Sequence, residues 1–499
     1  MTSADATAAP YVERLVARLA AAPDRALFTH REQEVRAGDF LASVHRYARA
    51  LEALGVARTG VVALLAPNAP DAIAVRYAAN LLGAATCYLP APPAAAARAA
   101  LIRQLAPTHL VVFPDTLPLL PPGLELPVLA VGDCGPSLPR LDARAARQSG
   151  EPMACRARAA DLAVIVSSGG STGAPKGSCR DFARYTRMVT APSPPDRRQL
   201  VNGRLAYLSE VLVDLTLLGG GSVVLRDRFD AADTLAQIAA ERITDLFLVE
   251  PQLFELMDHP AVPRTDLSSL RTLVHVGASA PPVLRRRARL RLGPVIAHTY
   301  GASEEGLVSL LAPAEHDPAR PDSFTSAGRV LPGVQVRLRK SDGGLAAVGE
   351  PGVIEVRSPA MAQGYRNQPD RTAQAFRDGW FHSGDLGRLD RDGHLHILGR
   401  DVDIARDGDR LITPTALEDT LCGLPSVRYA VVVVDPERSR RVAAVEPWPE
   451  ATIDVDACTQ AIAAAHGTEA ARTMRFVFPD RVPRTEQGKP DREEIRRLV

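Results

Sequence analysis

The run Ser167-Ser168-Gly169-Gly170-Ser171-Thr172-Gly173-Ala174-Pro175-Lys176-Gly177 gathers glycines, hydroxyls and one ammonium in a short stretch. Glycine lets a backbone approach an anion closely and aim its N–H groups at it. Ser171 and Thr172 add hydroxyl donors and Lys176 adds a cation, so polyphosphate is the natural guest. The run is not a Walker loop, because Pro175 stands where that motif needs its last glycine before the lysine. Its plain alternative is a flexible surface loop with an incidental lysine. Further polar islands follow: Tyr300-Gly301-Ala302-Ser303-Glu304-Glu305-Gly306, then Phe381-His382-Ser383-Gly384-Asp385-Leu386-Gly387, then Gly399-Arg400-Asp401, and last Pro483-Arg484-Thr485-Glu486-Gln487-Gly488-Lys489.

The elements that must position these islands show as alternating patterns. β-Branched runs at 61–65, 163–167, 222–225, 245–249, 272–276 and 295–299 alternate with helical stretches at 71–82, 231–242, 252–258 and 282–291. Units of this kind favour parallel sheets covered on both faces. After Gly328 the texture changes to short strands at 334–339, 352–357 and 394–398, separated by Gly, Asp and Pro turns, which predicts antiparallel or barrel-like structure. Beyond Asp401, a helix at 414–422, strands at 427–434 and 442–446, a helix at 454–466 and a strand at 475–477 form a compact α+β unit.

Composition narrows the function classes. The 499 residues suffice for roughly three compact units. A formal net charge of +1 excludes nucleic-acid binding through a global basic field. With 46% hydrophobic and 23% charged residues the chain is ordinary globular material, and with 5% aromatics its core must rest on Ala, Leu and Val. Six scattered cysteines without a CxxC pair read as reduced thiols, not a metal site. The N-terminus shows no secretory pattern, and the apolar stretch 211–225 is broken by Asp214 and Gly219-Gly220-Gly221. A cytoplasmic location with no membrane span and no nucleic-acid partner is expected.

The islands, in this order, resemble the core motifs of the adenylate-forming superfamily: acyl- and aryl-CoA synthetases, carrier-protein-loading adenylation domains and luciferases. The segments Ala63-Leu64-Leu65-Ala66-Pro67-Asn68-Ala69-Pro70-Asp71 and Gly83-Ala84 also look like that family's N-terminal pattern, so the likeness covers nearly the whole chain. It implies an α/β fold: a large N-terminal domain (1–399) of two doubly wound α/β subdomains plus a small β-barrel-like subdomain, a hinge at 400–401, and a small mobile α+β C-terminal domain (402–499). It implies a reaction in which a carboxylate attacks the α-phosphorus of ATP, expelling pyrophosphate, before the acyl group passes to a thiol.

The same resemblance implies roles. Ser171, Thr172, Gly173 and Lys176 hold the ATP β- and γ-phosphates. Tyr300, with Gly301, stacks on adenine, Ser303 meets the α-phosphate, and Glu304 holds Mg²⁺, a hard cation that takes few protein ligands beside phosphate oxygens. Asp385 accepts the ribose hydroxyls with its two oxygens. Arg400 faces the ribose or phosphate, Lys489 bridges the carboxylate and the α-phosphate, and Asp401 is the hinge. A small carboxylic acid and ATP are the substrates. CoA or the phosphopantetheine of a carrier protein is the acceptor.

Some positions depart from the family pattern. The double-glycine form of Ser168 to Gly173 resembles aryl-acid adenylases, yet their His-Asn pair is absent from Gly203-Arg204-Leu205-Ala206-Tyr207-Leu208-Ser209-Glu210. Tyr207 falls near the position where amino-acid-activating domains carry an Asp. Tyr207 and Ser209, with Gly277, Ala278 and Ser279, are therefore expected to line the acyl pocket. Glu210 or Asp214 could face that pocket and pair with an amine, although a place on a helix surface or at a cap is the simpler reading. Gly408-Asp409-Arg410 replaces the usual Gly-Gly-Glu, which leaves an amine acceptor, and an amide-like product, open. A non-catalytic member of the family is the remaining alternative. His382 and Cys179 are expected to be structural.

Overall fold

A computed structural model describes residues 9–92, 94–168, 176–206, 208–276, 281–407, 410–435, 438 and 440–498. The chain divides into two compact units. The first comprises Met1–Phe247, Ser303–Gly306 and Pro359–Phe376; the second comprises Leu248–Ala302, Leu307–Ser358 and Arg377–Val499.

In the first unit, one sheet places the strands Val128–Ala130, His109–Val112, Val61–Leu65, Ala85–Tyr88 and Leu162–Ser168 side by side and parallel. Val61–Leu65, Ala85–Tyr88 and His109–Val112 are buried along their whole length, as befits parallel strands covered on both faces. Lys176–Asp181 then runs back antiparallel to Leu162–Ser168, and Gly364–Tyr365 adds antiparallel to it. The strand ends cleanly because Asp181 caps the helix Phe182–Val189, accepting the Arg184 N–H at 2.7 Å. Asp245–Leu248, Arg198–Val201, Ser222–Leu225 and Ala26–His30 form a second parallel set, with Gln33–Arg36 antiparallel at its edge.

Helices Tyr11–Ala20, Ala37–Ala53, Pro70–Leu81, Phe182–Val189 and Leu208–Gly219 supply much of the core of this unit. That core encloses a charged network. Arg76, 1% exposed, donates from Nη1 and Nη2 to the two oxygens of Asp214 at 2.7 Å each, and from Nη2 to Glu210 Oε1 at 3.0 Å. Tyr185 Oη donates to Asp214 Oδ2 at 2.7 Å, and Tyr77 Oη donates to Asp214 Oδ1. Glu210 and Asp214 are thus neither surface nor capping residues, contrary to the simpler sequence reading. They are buried counter-ions of one arginine. Burial pushes the Glu210 carboxyl up, Arg76 opposes this, and the result is about 7.

The strands of the second unit group by different rules. Thr272–His275 lies parallel to Ile296–Ala302, with His275 and His298 in register and their Nδ1 atoms 3.0 Å apart. Gly306–Leu311 and Arg329–Val330 extend this set. Gln335–Arg339, Gly352–Arg357, Trp380–Leu389 and Leu395–Arg400 form an antiparallel sheet, as the turn-rich sequence predicts. Further on, Val427–Asp435 pairs antiparallel with Arg440–Pro447, which takes Met474–Val477 in parallel. The helices Pro414–Cys422, Val455–His466 and Arg492–Arg497 accompany this last sheet. Among the described residues no helix is long and apolar enough to cross a membrane, and all six cysteines are free.

The Arg76 network predicts two stability effects. Removing one partner of a buried ion pair leaves an uncompensated charge, so Asp214→Ala should cost about 3–5 kcal/mol in urea unfolding. Glu210 has a folded-state pKa above its unfolded value. Its protonated form therefore favours the native state, and stability is lost as pH rises from the ordinary carboxylate range through about 7. Glu210→Gln should flatten that part of the stability–pH curve, while leaving stability near pH 4 close to that of the parent.

Candidate active site

Several of the predicted residues gather in two clusters, one within each unit. In the first unit, Glu304 is held by both its backbone and its side chain. Its carbonyl accepts the Ala362 N–H at 2.7 Å and Arg180 Nη2 at 3.3 Å. Its carboxylate accepts Tyr365 Oη on Oε1 at 2.8 Å and Ser303 Oγ on Oε2 at 2.7 Å. Lys176, at the start of Lys176–Asp181, sets its Nζ 5.0 Å from the centre of the Tyr365 ring. Among the described residues Lys176 forms no ion pair, so its charge is not neutralised by a carboxylate. Ser209 is buried in the first turn of Leu208–Gly219.

In the second unit, Tyr300 and Gly301 lie in Ile296–Ala302, both partly exposed. Asp385 and Arg400 are directly opposed across neighbouring antiparallel strands, an arrangement that favours opposite charges. Tyr300 Oη donates to Asp385 Oδ2 at 2.6 Å, and Arg400 Nε lies 3.1 Å from Oδ1. Arg400 Nη1 also donates to the Ser383 carbonyl at 2.8 Å, and the Asp385 N–H donates to Ser383 Oγ at 3.0 Å. Three sequence-distant motifs thus meet at one carboxylate.

Lys489 follows a tight turn in which the Gly488 N–H donates to the Thr485 carbonyl at 2.9 Å. Gly488 has φ +81°, a turn conformation that favours glycine, and a Cβ there would lie 3.0 Å from Gln252 Nε2 of the helix Glu250–Met257. Arg484 anchors the same turn through Glu255 at 3.0 Å. Lys489 is only partly exposed. Desolvation, and then the Arg400 cation, hold it below the usual lysine range. Asp401 pairs with Arg406 at 3.5 Å on a half-exposed surface.

Ser171, Thr172, Gly173, Tyr207, Gly277, Ala278 and Ser279 lie outside the described residues. His382 bonds the buried Glu355 at 3.1 Å, and burial raises the Cys179 thiol to about 11; both fit structural roles. Arg410 donates to the Ala465 carbonyl, near the end of Val455–His466, so its cation is spent within its own subdomain.

Comparison with known proteins gives the family. Residues 15–366 match the family model described as AMP-binding enzyme. The chain belongs to this family. It is thereby one of the adenylate-forming enzymes that the ordered motifs resemble. A medium/long-chain-fatty-acid–CoA ligase, FadD8 of Mycobacterium tuberculosis, is 31% identical over 92% of this chain and 85% of its own length. An indoleacetate–CoA ligase of Aromatoleum aromaticum is 29% identical over 96% of this chain and 96% of its own length. The amide bond synthetase McbA of Marinactinospora thermotolerans is 30% identical, with a TM-score of 0.85 over 98% of this chain and 100% of that one.

For an AMP-binding enzyme the Glu304 cluster has donors suited to a divalent cation. No group of three His, Cys, Asp or Glu side chains among the described residues could hold a metal. Glu304 would thus supply one carboxylate, and phosphate oxygens and water the rest, which is how Mg²⁺ usually binds. Sequence reasoning missed Tyr365 and Arg180, which hold Glu304 in place. Gly364-Tyr365 lies in a loop-like stretch, and neither residue type there signals a partner at position 304.

Of the 59 Lys and Arg residues only three are lysines: Lys176, Lys340 and Lys489. Reductive ¹³C-methylation should therefore give three lysine signals, assignable by Lys→Arg substitution. The Lys489 signal should titrate below the ordinary value of about 10.4. A midpoint at or above that value would contradict the electrostatics described.

Proposed function

We propose that this AMP-binding enzyme activates a small carboxylic acid with ATP and Mg²⁺ to an acyl- or aryl-adenylate, releasing pyrophosphate, and transfers the acyl group to the thiol of CoA or of a carrier protein's phosphopantetheine. The observation that carries it is the meeting of Tyr300, Asp385 and Arg400 from three separate motifs around one carboxylate. Such a group suits an adenosine: an aromatic face for the base, paired acceptor oxygens for the ribose diol, and a cation beside them. Tyr300 and Glu304 belong to one motif, four residues apart in the chain.

In this reading Glu304 would hold Mg²⁺, whose charge would offset that of the phosphates. Lys176, with Ser171, Thr172 and Gly173, binds the β- and γ-phosphates, and Ser303 binds the α-phosphate. Lys489 donates to the attacking carboxylate and the α-phosphate together, orienting the two and offsetting the negative charge that develops between them. Tyr207, Ser209, Gly277, Ala278 and Ser279 line the acyl pocket. Because Arg76 already engages both Glu210 and Asp214, neither is free for a substrate ammonium, which favours an acid without an α-amino group. The free cysteines suit a reducing cytoplasm.

Residues 402–499 act as the mobile domain, turning about Asp401. One ion pair that such a turn would break is backed by a second partner on each side. Arg428 reaches Asp258 at 3.3 Å but also Glu446 at 2.9 Å within its own subdomain. Asp258 in turn keeps Arg287 and Arg291 at 2.9 and 2.6 Å. Separation leaves these charges with partners, while the pair of Arg484 and Glu255 at 3.0 Å would be given up.

A second reading has specific support: transfer of the acyl group to an amine, favoured by the McbA likeness and by the altered Gly408-Asp409-Arg410. Acid-dependent ATP–pyrophosphate exchange across a panel of acids tests the shared first step. Folded, ATP-binding protein that exchanges with none of them would overturn it. Lys489→Ala should lower exchange by about 10²–10³-fold, the scale of losing one transition-state donor, while still transferring acyl from supplied adenylate. Product analysis with CoA and amines in competition distinguishes the acceptors: rapid acyl-CoA formation supports the thiol, and amide formation without a thioester supports the amine.

A further inference from the structure

Tyr365 touches both charged groups of the first-unit cluster in different ways. Its hydroxyl donates to Glu304 Oε1 at 2.8 Å, while its ring lies 5.0 Å from Lys176 Nζ. The side chain is 7% exposed and is fixed on several sides. Its strand pairs with Lys176–Asp181, with Tyr365 opposite Ser178, and its N–H donates to Thr372 Oγ1 at 2.9 Å. The Phe376 ring packs edge-on at 5.6 Å. Gly364, at φ +148°, allows the close fit, because a Cβ there would come within 2.4 Å of Thr372. The ring therefore has little freedom to leave either partner.

We propose that Tyr365 is a positioning residue that sets the Glu304 carboxylate for the metal and the Lys176 ammonium for the phosphates. The proposal rests on the roles given above to Glu304 and Lys176, and deepens them. The phenol fixes one carboxylate oxygen by a single hydrogen bond, which leaves that oxygen a lone pair for a cation; Ser303 does the same for the other oxygen at 2.7 Å. The ring attracts the ammonium through its quadrupole without neutralising it, so the full positive charge remains for an anion. A carboxylate in the same place would hold Lys176 more tightly but cancel its charge. One side chain thus spaces a carboxylate and a cation that would otherwise pair with each other.

The two functions separate by substitution. Tyr365→Phe removes the hydroxyl and keeps the ring; Tyr365→Leu removes both. Metal binding is read directly, as free Mn²⁺ by electron paramagnetic resonance, in the presence of α,β-methylene-ATP. Nucleotide binding is read by calorimetry in EDTA, without metal. Tyr365→Phe should weaken Mn²⁺ binding by about ten-fold, the scale of one hydrogen bond to a charged group, with metal-free nucleotide binding unchanged. Tyr365→Leu should add a loss of about three- to thirty-fold in metal-free nucleotide binding, the range of a cation–π contact. On a Glu304→Gln background, Tyr365→Phe should have little further effect on Mn²⁺.

Mn²⁺ affinity of Tyr365→Phe within two-fold of the parent, or effects of Tyr365→Phe and Glu304→Gln that simply add, would overturn the proposal. If Glu304→Gln itself binds Mn²⁺ as the parent does, the metal role of Glu304 fails, and that failure is distinct. Melting curves check that each variant is folded. Should Tyr365→Leu not fold, Tyr365→Phe and the Glu304 cycle still decide the hydroxyl's role, and Tyr365→Met, which fills the space without an aromatic face, measured with and without Lys176→Met, decides the ring's.

Discussion

The carbonyl of Glu304 is the constraint on which the first-unit cluster depends. It accepts both the Ala362 N–H and the Arg180 guanidinium, and Arg180 also donates to the Ala360 carbonyl at 2.6 Å. A buried carbonyl without partners costs free energy, and a buried guanidinium costs more, so each can stay dry only while the other is present. Burial lowers the Arg180 pKa, opposed by the Glu304 and Glu305 carboxylates. The outcome is that 303–306 and 359–376, far from the N-terminal sheet in sequence, become part of its unit. Only then can Tyr365 reach Glu304 and Lys176 together.

The use of lysine is as informative as its position. This chain meets nearly every structural demand for a cation with arginine: the bidentate clasp on Asp214, the pair on Asp258 and the contacts of Arg337 and Arg339 with Glu355. A planar guanidinium suits these fixed forks. Lys176 and Lys489 are two of its three lysines, and the proposed function gives both of them phosphate or carboxylate oxygens as partners, a task that suits a compact ammonium on a flexible stem.

Much of the fold was legible because its strands are short, apolar and punctuated. The strands at 61–65, 222–225 and 352–357 and the helix at 414–422 match Val61–Leu65, Ser222–Leu225, Gly352–Arg357 and Pro414–Cys422. Those patterns arise from burial on both faces, or from turns that glycine and proline mark locally. The Arg76 network was not legible as such. A lone arginine in the apolar helix Pro70–Leu81 and two acids in the apolar helix Leu208–Gly219 were a signal of mutual pairing, but the acids were read by their own helix instead of by the charge that had to answer them.

The sequence by itself determined the family, the layered α/β architecture and the residue types of the chemistry, because spacing along the chain records local periodicity and motif order. Tertiary structure decided which of those groups meet. It set Asp385 opposite Arg400 and under the Tyr300 hydroxyl, fixed Glu304 between Tyr365 and Ser303, and turned Glu210 and Asp214 inward onto Arg76. Hydrogen bonds and ion pairs act over a few ångströms of space, whatever their separation in sequence, so no single segment could announce its partner.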